Sequence, residues 1–335
     1  MGEFHLVEIA VNELLQGMGE WLRAPFLAIT FLGDEEFFIL LFAALYWCFS
    51  QTIAVRTVIM LLLANAQNGF LKFTFQTPRP YWISEEVAAY SAESSFGLPS
   101  GHSQIPASVW GWLAVEVHRR WFTVVALAII FLIGASRIYL GVHFASDVLL
   151  GWLLGGVLVL VAYQLRRTVS DRLSAMTPAG RIGVVFVVAA VLVLMILAVR
   201  WTAADWMLPA QWAERAGDVD PFSLDGTFTF AGAWIGTLTG YVLLTTRRGT
   251  FLASGGGWNR VTRFLLGIVG VAILWFGLGQ LFPREANVVS YALRVVRYAV
   301  TGLWVTWLAP LLFEKIGILE FGGGQGSRHG ANRHV

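Results

Sequence analysis

Residues 121–147 read WFTVVALAIIFLIGASRIYLGVHFASD, an apolar run that closes on Ser136-Arg137 and then on His143 and Asp147. A helix of about 20 apolar residues crosses a bilayer, because it satisfies its backbone polar groups within the segment. Charged side chains in such a run are expensive, so Arg137, His143 and Asp147 are functional candidates by default. Two more polar constellations interrupt the apolar chain upstream. One is Lys72-Phe73-Thr74-Phe75-Gln76-Thr77-Pro78-Arg79-Pro80, and the other is Pro99-Ser100-Gly101-His102.

Composition agrees with a membrane chain. Of the 335 residues, 57% are hydrophobic and 13% charged, and the mean hydropathy is +0.67. Soluble domains carry about 25% charged residues. The reading is therefore an all-α polytopic membrane helical bundle. A net charge of +2 is too small to imply a nucleic-acid partner. Cys48 is the single cysteine, in an apolar run, so it forms no intramolecular disulfide and reads as a small core residue. Glu3, Glu8 and Glu13 replace the basic start of a cleavable signal peptide, so none is expected.

In chain order, residues 1–35 form an N-terminal interfacial segment, broken by Gly17, Gly19 and Pro25. Spans are expected near 36–49, 52–75, 101–117, 121–140, 143–165, 182–199, 226–245, 264–281 and 287–312, about nine in all. Residues 36–199 make a transmembrane core. Residues 200–321 add further transmembrane helices and the loop 200–225, where Trp201, Trp206 and Trp212 suit an aromatic belt on the membrane. The Gly-rich tail 322–335 is expected to be disordered. Arg119, Arg120, the loop 166–181, the segment 247–263 and the tail are basic. The loops 76–101 and 200–225 are acid-rich. The positive-inside rule then puts the first set and the C-terminus in the cytoplasm. The N-terminus and all three polar constellations fall on the extracytoplasmic side of a plasma or inner membrane.

The constellations carry phosphate chemistry. Phosphoryl transfer depends on positioning and on fixed positive charge around three equatorial oxygens. Lys72, Arg79 and Arg137 supply that charge, and each arginine offers a bidentate fork. The plainer reading of Lys72 and Arg79 is that they snorkel to headgroups. Ser100 and Gly101 open a helix whose free N–H groups suit an anion, although serine before a helix is also an ordinary cap. His102 next to them reads as a general acid. His143 and Asp147 stand four apart, on one face if both are helical. The carboxylate can then hold one ring nitrogen and free the other to attack, or the pair only packs. Three cations repel a divalent ion, so neither metal nor cofactor is expected. Arg294 and Arg297 read as headgroup anchors.

Together the constellations resemble the signature of the type 2 phosphatidic acid phosphatase family. Its pattern, K-x6-R-P, then P-S-G-H, then S-R-x5-H-x3-D, is matched without departure by Lys72…Arg79-Pro80, Pro99-Ser100-Gly101-His102 and Ser136-Arg137…His143…Asp147. The resemblance implies a six-helix phosphatase core and a metal-independent phosphohydrolase working through a phosphohistidine. His143 would be the nucleophile, Asp147 its orienting partner and His102 the acid–base. Lys72, Arg79, Ser100, Gly101 and Arg137 would bind phosphate. The string Leu32-Gly33-Asp34-Glu35-Glu36-Phe37-Phe38 and the added spans are similar to the nine-span branch that includes sphingosine-phosphate phosphatases and glucose-6-phosphatases. A lipid phosphate is the expected substrate partner: a long-chain base phosphate, an isoprenoid phosphate or diphosphate, or a phosphatidate. A soluble ester such as a sugar phosphate is the first alternative, and a phosphate-lipid transporter or binding scaffold the second.

Overall fold

A computed structural model describes residues 3–217, 219–252, 256–283 and 285–321. Among the described residues the chain's regular structure is helical apart from one two-residue strand pair, β1 (Phe251–Leu252) with β2 (Glu320–Phe321). Its contacts fall into two compact units. One holds residues 1–38, 57–169 and 191–227, and the other 39–56, 170–190 and 228–335.

Among the described residues, seven helices are long and apolar enough to cross a membrane: Gln51–Ile83, Arg120–Tyr139, Ala145–Ala175, Pro178–Thr202, Asp225–Arg248, Gly257–Leu281 and Val288–Lys315. The other two expected spans are helical but short. They are α3 (Glu35–Ala44), which continues into a π turn to Phe49, and α6 (Gly101–Val117), of 17 residues. Each begins beside a candidate or site-contacting residue, α3 directly after Asp34 and α6 at Gly101-His102.

In the first unit, α1 (Glu3–Gln16) and α2 (Arg23–Thr30) precede α3. α4 (Gln51–Phe75) leads through the single turn α5 (Pro80–Ile83) into the loop before α6. α7 (Arg120–Tyr139) packs against α6, α2 and α1. A tight turn with Gly141 at φ 74 joins it to α8 (Ala145–Ala175). The N-terminal pair thus docks on protein: Asn12 Nδ2 donates to the carbonyl of Ile138 at 2.8 Å, and Gln16 Nε2 donates to that of Tyr139 at 2.9 Å.

α6 and α8 meet through small residues. A Cβ on Gly151 would lie 2.9 Å from the Ser100 carbonyl oxygen, and one on Gly155 2.6 Å from Ala107 Cβ. Between lipid-solvated helices, close van der Waals packing replaces the hydrophobic drive, and small residues permit it. A polar ladder ties α4 to the start of α6: Asn68 Nδ2 donates to Pro99 O at 3.1 Å and to Gln104 Oε1 at 2.9 Å, and Gln104 Nε2 donates to Gln67 Oε1 at 2.8 Å.

Two sequence expectations change. The basic stretch after residue 165 is not a loop, because α8 runs on to Ala175 and α9 (Pro178–Thr202) begins almost at once. Arg166, Arg167 and Arg172 ride on α8, since arginine is a good helix former wherever the segment leaves the apolar zone. Trp206 and Trp212 do not form a belt. Trp206 meets Phe96 and Phe222 edge-on, with ring centroids 5.2 and 5.3 Å apart, and Trp212 lies 6.3 Å from Trp82, so the 200–225 loop covers the loop before α6. Trp201 stays 81% exposed. The tail 322–335 lies outside the described residues.

The second unit has its own logic. α11 (Asp225–Arg248) turns Gly232, Gly236 and Gly240 toward Val295, Ala299 and Thr306 of the last helical segment, comprising α13 (Val288–Leu303), a π turn (Trp304–Leu308) and α14 (Ala309–Lys315). A π turn breaks the regular ladder. Here Tyr46 Oη and Trp47 Nε1 each donate at 2.9 Å, to Thr306 O and Val305 O respectively. Cys48 is buried, with Sγ donating to Arg260 O at 3.3 Å.

Substituting Gly155→Leu should wedge α6 from α8 and cost about 1–3 kcal/mol, the usual range for overpacking. Thermal unfolding in detergent reads this directly. An unchanged midpoint would mean that the α6–α8 contact is not close.

Candidate active site

The end of α4, the start of α6 and the α7–α8 turn bring the polar constellations together. Arg79 is fully buried, held extended by Pro78 and Pro80 on either side. Its Nε donates to Ser95 O at 2.6 Å. Nη1 donates to Val142 O at 2.8 Å and lies 3.2 Å from His143 Nε2. Nη2 reaches Ser95 Oγ at 3.1 Å and Phe96 O at 3.2 Å. Lys72 Nζ donates to the same Ser95 Oγ at 2.7 Å, so neither Lys72 nor Arg79 snorkels outward.

His143 lies in the turn before α8 rather than on it, because Gly141 ends the preceding helix and α8 starts at Ala145. The expected shared helical face is therefore corrected. Asp147, in the first turn of α8, reaches back: its Oδ2 accepts the Phe144 N–H at 3.0 Å and meets His143 Nδ1 at 3.1 Å. The backbone adds a link, since Ser100 N donates to Asp147 O at 3.1 Å.

A guanidinium has donors only, so the nitrogen facing Arg79 Nη1 must present a lone pair. This assigns His143 the tautomer with hydrogen on Nδ1, toward Asp147, and a bare Nε2. Burial first, then the charges of Arg79, Lys72, Arg137 and His102, push the His143 imidazolium well below its ordinary pKa. The ring is neutral.

Ser100 precedes α6 and is fully buried, accepting from Ser103 Oγ at 3.0 Å. A Cβ on Gly101 would sit 3.2 Å from Asn68 Oδ1. Arg137 is buried near the end of α7, with Nη1 donating to Thr30 Oγ1 at 3.0 Å and Nη2 to Glu93 Oε1. Its Nε is buried and has no hydrogen-bond partner among the described residues.

All eight candidates named from sequence, Lys72, Arg79, Ser100, Gly101, His102, Arg137, His143 and Asp147, thus belong to one cluster. Sequence reasoning missed its acceptors. Glu93 lies between the cations, with Oε1 on Arg137 and Oε2 3.8 Å from Arg79 Nη2. Asp34 Oδ1 stands 2.7 Å from His102 Nε2. Asn12 Nδ2 donates to His143 O at 3.1 Å, and Glu8 Oε1 accepts the Ser146 N–H at 2.8 Å. The available signals were an acid in the loop before Pro99-Ser100-Gly101-His102 and polar residues four apart, Glu8, Asn12 and Gln16, in α1. Among the described residues no group of three or more His, Cys, Asp or Glu is placed to hold a metal ion.

The sequence profile of the PAP2 superfamily matches residues 53–171, and that of the PAP2 superfamily phosphatase transmembrane extension matches residues 228–321. The chain is 31% identical over 175 residues to glucose-6-phosphatase 3 of Bos taurus, a match covering 45% of this chain and 50% of that protein. It therefore spans about half the length of that relative. It is 33% identical over 150 residues to phosphatidylglycerophosphatase B of Bacillus subtilis, covering 40% of this chain and 70% of that protein. A longer, weaker similarity joins it to sphingosine-1-phosphate phosphatase 2 of Mus musculus, 22% identical over 324 residues and covering 86% of each chain.

Glu93 makes a test of the electrostatics. Burial works to raise its carboxyl, but Arg79, Arg137, His102 and Lys72 outweigh that and hold it at about 2. A free glutamate titrates near about 4.3. The folded state therefore binds fewer protons there. The resulting stabilisation is complete above the unfolded value and disappears as pH falls toward about 2. Glu93→Gln should flatten the acid-side loss of stability between about pH 5 and 2. A midpoint that falls with pH as steeply as in the wild type would overturn the assignment.

Proposed function

This chain belongs to the PAP2 superfamily, and on that premise we propose that it is an integral-membrane phosphatase. It hydrolyses a lipid phosphate without a metal ion, through a phosphohistidine formed on His143. One observation carries the reading. His143 gives its Nδ1–H to Asp147 and turns a bare Nε2 to Arg79 Nη1, among the cations that would hold a phosphoryl group.

The chemistry follows from the donors. Arg79, Arg137 and Lys72 neutralise the phosphate oxygens, and Arg137 Nε still has a proton to give. The first N–H groups of α6, at Gly101 and His102, have no intrahelical acceptor and suit an oxygen, with the Ser100 hydroxyl beside them. Phosphate entering this cradle replaces the Glu93 carboxylate as counter-charge to both guanidinium groups. Nε2 of His143 then attacks phosphorus. As the N–P bond forms, the P–O bond to the lipid breaks, its electron pair stays on oxygen, and His102 gives that oxygen a proton. Asp147 stabilises the charge that develops on the His143 ring. In the second half, water attacks phosphorus, yields a proton to His102 and expels His143, which releases inorganic phosphate. Fixed donors do the electrostatic work without reorganising during the reaction.

A lipid substrate is favoured by a site at the ends of apolar helices and by a relative named for sphingosine-1-phosphate that matches along 86% of both chains. The glucose-6-phosphatase relative favours a second reading, a soluble phosphate ester. The charge asymmetry of the loops supports a site on the extracytoplasmic side, away from Arg119 and Arg120.

Phosphate release by detergent-purified protein in EDTA tests this, with wild type beside His143→Asn on esters from glucose phosphate to long-chain lipid phosphates. The expected outcome is release by wild type, highest on lipid phosphates, and background release by the variant. Preference for glucose phosphate would move the substrate to the soluble class. No release from any ester by folded wild type would leave a binding or transport site.

A further inference from the structure

The residues before α3 are not accounted for by the three constellations or by the PAP2 match, which starts at residue 53. We infer that Asp34 is the positioning residue for the proton donor of the reaction: its carboxylate fixes His102 so that Nδ1 delivers the proton to the leaving oxygen. The inference rests on the phosphatase reading above. It gives the site two histidine–carboxylate pairs, His143–Asp147 for the attacking nitrogen and His102–Asp34 for the leaving oxygen.

The geometry is specific. Asp34 Oδ1 lies 2.7 Å from His102 Nε2, the short distance of a charge-assisted bond. With Nε2 engaged, only Nδ1 remains for chemistry. Nδ1 faces the cradle, 4.0 Å from the Glu93 Oε1 that also meets Arg137. The ring is seated as well as bonded. A Cβ on Gly33 would lie 3.2 Å from His102 Cδ2, so the Gly33 backbone approaches the imidazole more closely than another residue would allow without a shift. An aspartate just before a helix ordinarily caps that helix. Here the carboxylate is spent on His102 instead.

The charged groups facing His102 are Asp34, Glu93 and Arg137. Burial first, then Arg137, disfavour an imidazolium and lower the His102 pKa, and the two carboxylates oppose them. Asp34 is in direct contact and favours the protonated ring without occupying the cradle. In the first step the Nδ1 proton passes to the leaving oxygen as the P–O bond breaks, and His102 is left neutral with its Nε2–H on Asp34. In the second, Nδ1 takes a proton from the attacking water.

The test compares Asp34→Asn with wild type on two esters, a short-chain alkyl phosphate and p-nitrophenyl phosphate. An alkoxide leaves poorly without a proton, whereas p-nitrophenolate leaves without one. A positioned acid supplies on the order of 10²–10⁴-fold. Asp34→Asn should therefore lower kcat on the alkyl ester by roughly 10- to 100-fold and change kcat on the aryl ester far less. The alkaline limb of the alkyl-ester pH profile should move to lower pH. Thr30→Val, which removes a support of Arg137, should weaken both esters alike. Should Asp34→Asn not fold, Asp34→Glu, which keeps the charge but displaces it, should show the same split in smaller measure. Equal losses on both esters in a folded Asp34 variant would overturn the inference and leave the phosphatase reading intact. A wild type inactive on both would sink the two together.

Discussion

The Arg79 guanidinium is sealed from solvent, and its hydrogen bonds tie together parts of the first unit that are far apart in sequence. A charge taken out of water costs several kcal/mol unless counter-charge and hydrogen bonds replace its hydration. The protein supplies Ser95 O, Ser95 Oγ, Phe96 O and Val142 O, with Glu93 as counter-ion and His143 Nε2 as a further acceptor. The loop before α6 and the turn before α8 consequently share one side chain. Neither can relax without stranding a buried cation.

That constraint continues through the rest of the site. Lys72 leans on Ser95, Ser95 on Arg79, Arg79 on the His143 turn, and Asp147 on both His143 and the Ser100 N–H. Two of these contacts end on backbone atoms, Val142 O and the Ser100 N–H, so the chain fixes positions and not only charges. Aromatic rings close the same region: Trp82, Phe96, Trp206, Trp212 and Phe222 pack on each other and bury the loop that carries Ser95. Excluding water strengthens every electrostatic contact inside.

The sequence made the helices and the eight candidate residues legible because both leave local signals. Apolar runs between residues 121 and 140 or 182 and 199 admit only a buried or spanning helix, and fixed spacings such as Arg137 to His143 survive in one dimension. Other features left no such trace. The four-residue spacing of His143 and Asp147 is that of one helical face, yet Gly141 shifts the helix start to Ala145, and the pair meets by a carboxylate folding back over a turn. Glu93 sits in an irregular loop without periodicity. Its importance comes from Arg137, 44 positions away. Trp206 and Trp212 had the composition of a membrane belt, and only the neighbouring aromatic surface of the first unit draws them inward.

Donor and acceptor accounting explains why the missed residues had to exist. Lys72, Arg79 and Arg137 carry protons to give and no lone pairs to receive with. Three such groups in one buried site repel one another and must find acceptors elsewhere, since unpaired buried donors are costly. Asp147 is committed to His143 and Phe144, so it cannot serve them. The balance has to come from outside the recognisable spacings, and it does: Glu93 and Ser95 from the loop, Thr30 from the segment before α3, and carbonyls from the turns. The N-terminal helices are part of the same account. Asn12 and Gln16 supply donors to carbonyls exposed where α7 ends, and Glu8 accepts an N–H at the start of α8, so the turn that holds His143 is secured on both sides. A pattern built only of cations and histidines is therefore an incomplete site, and its complement can be sought as the nearest acceptors that the fold can deliver.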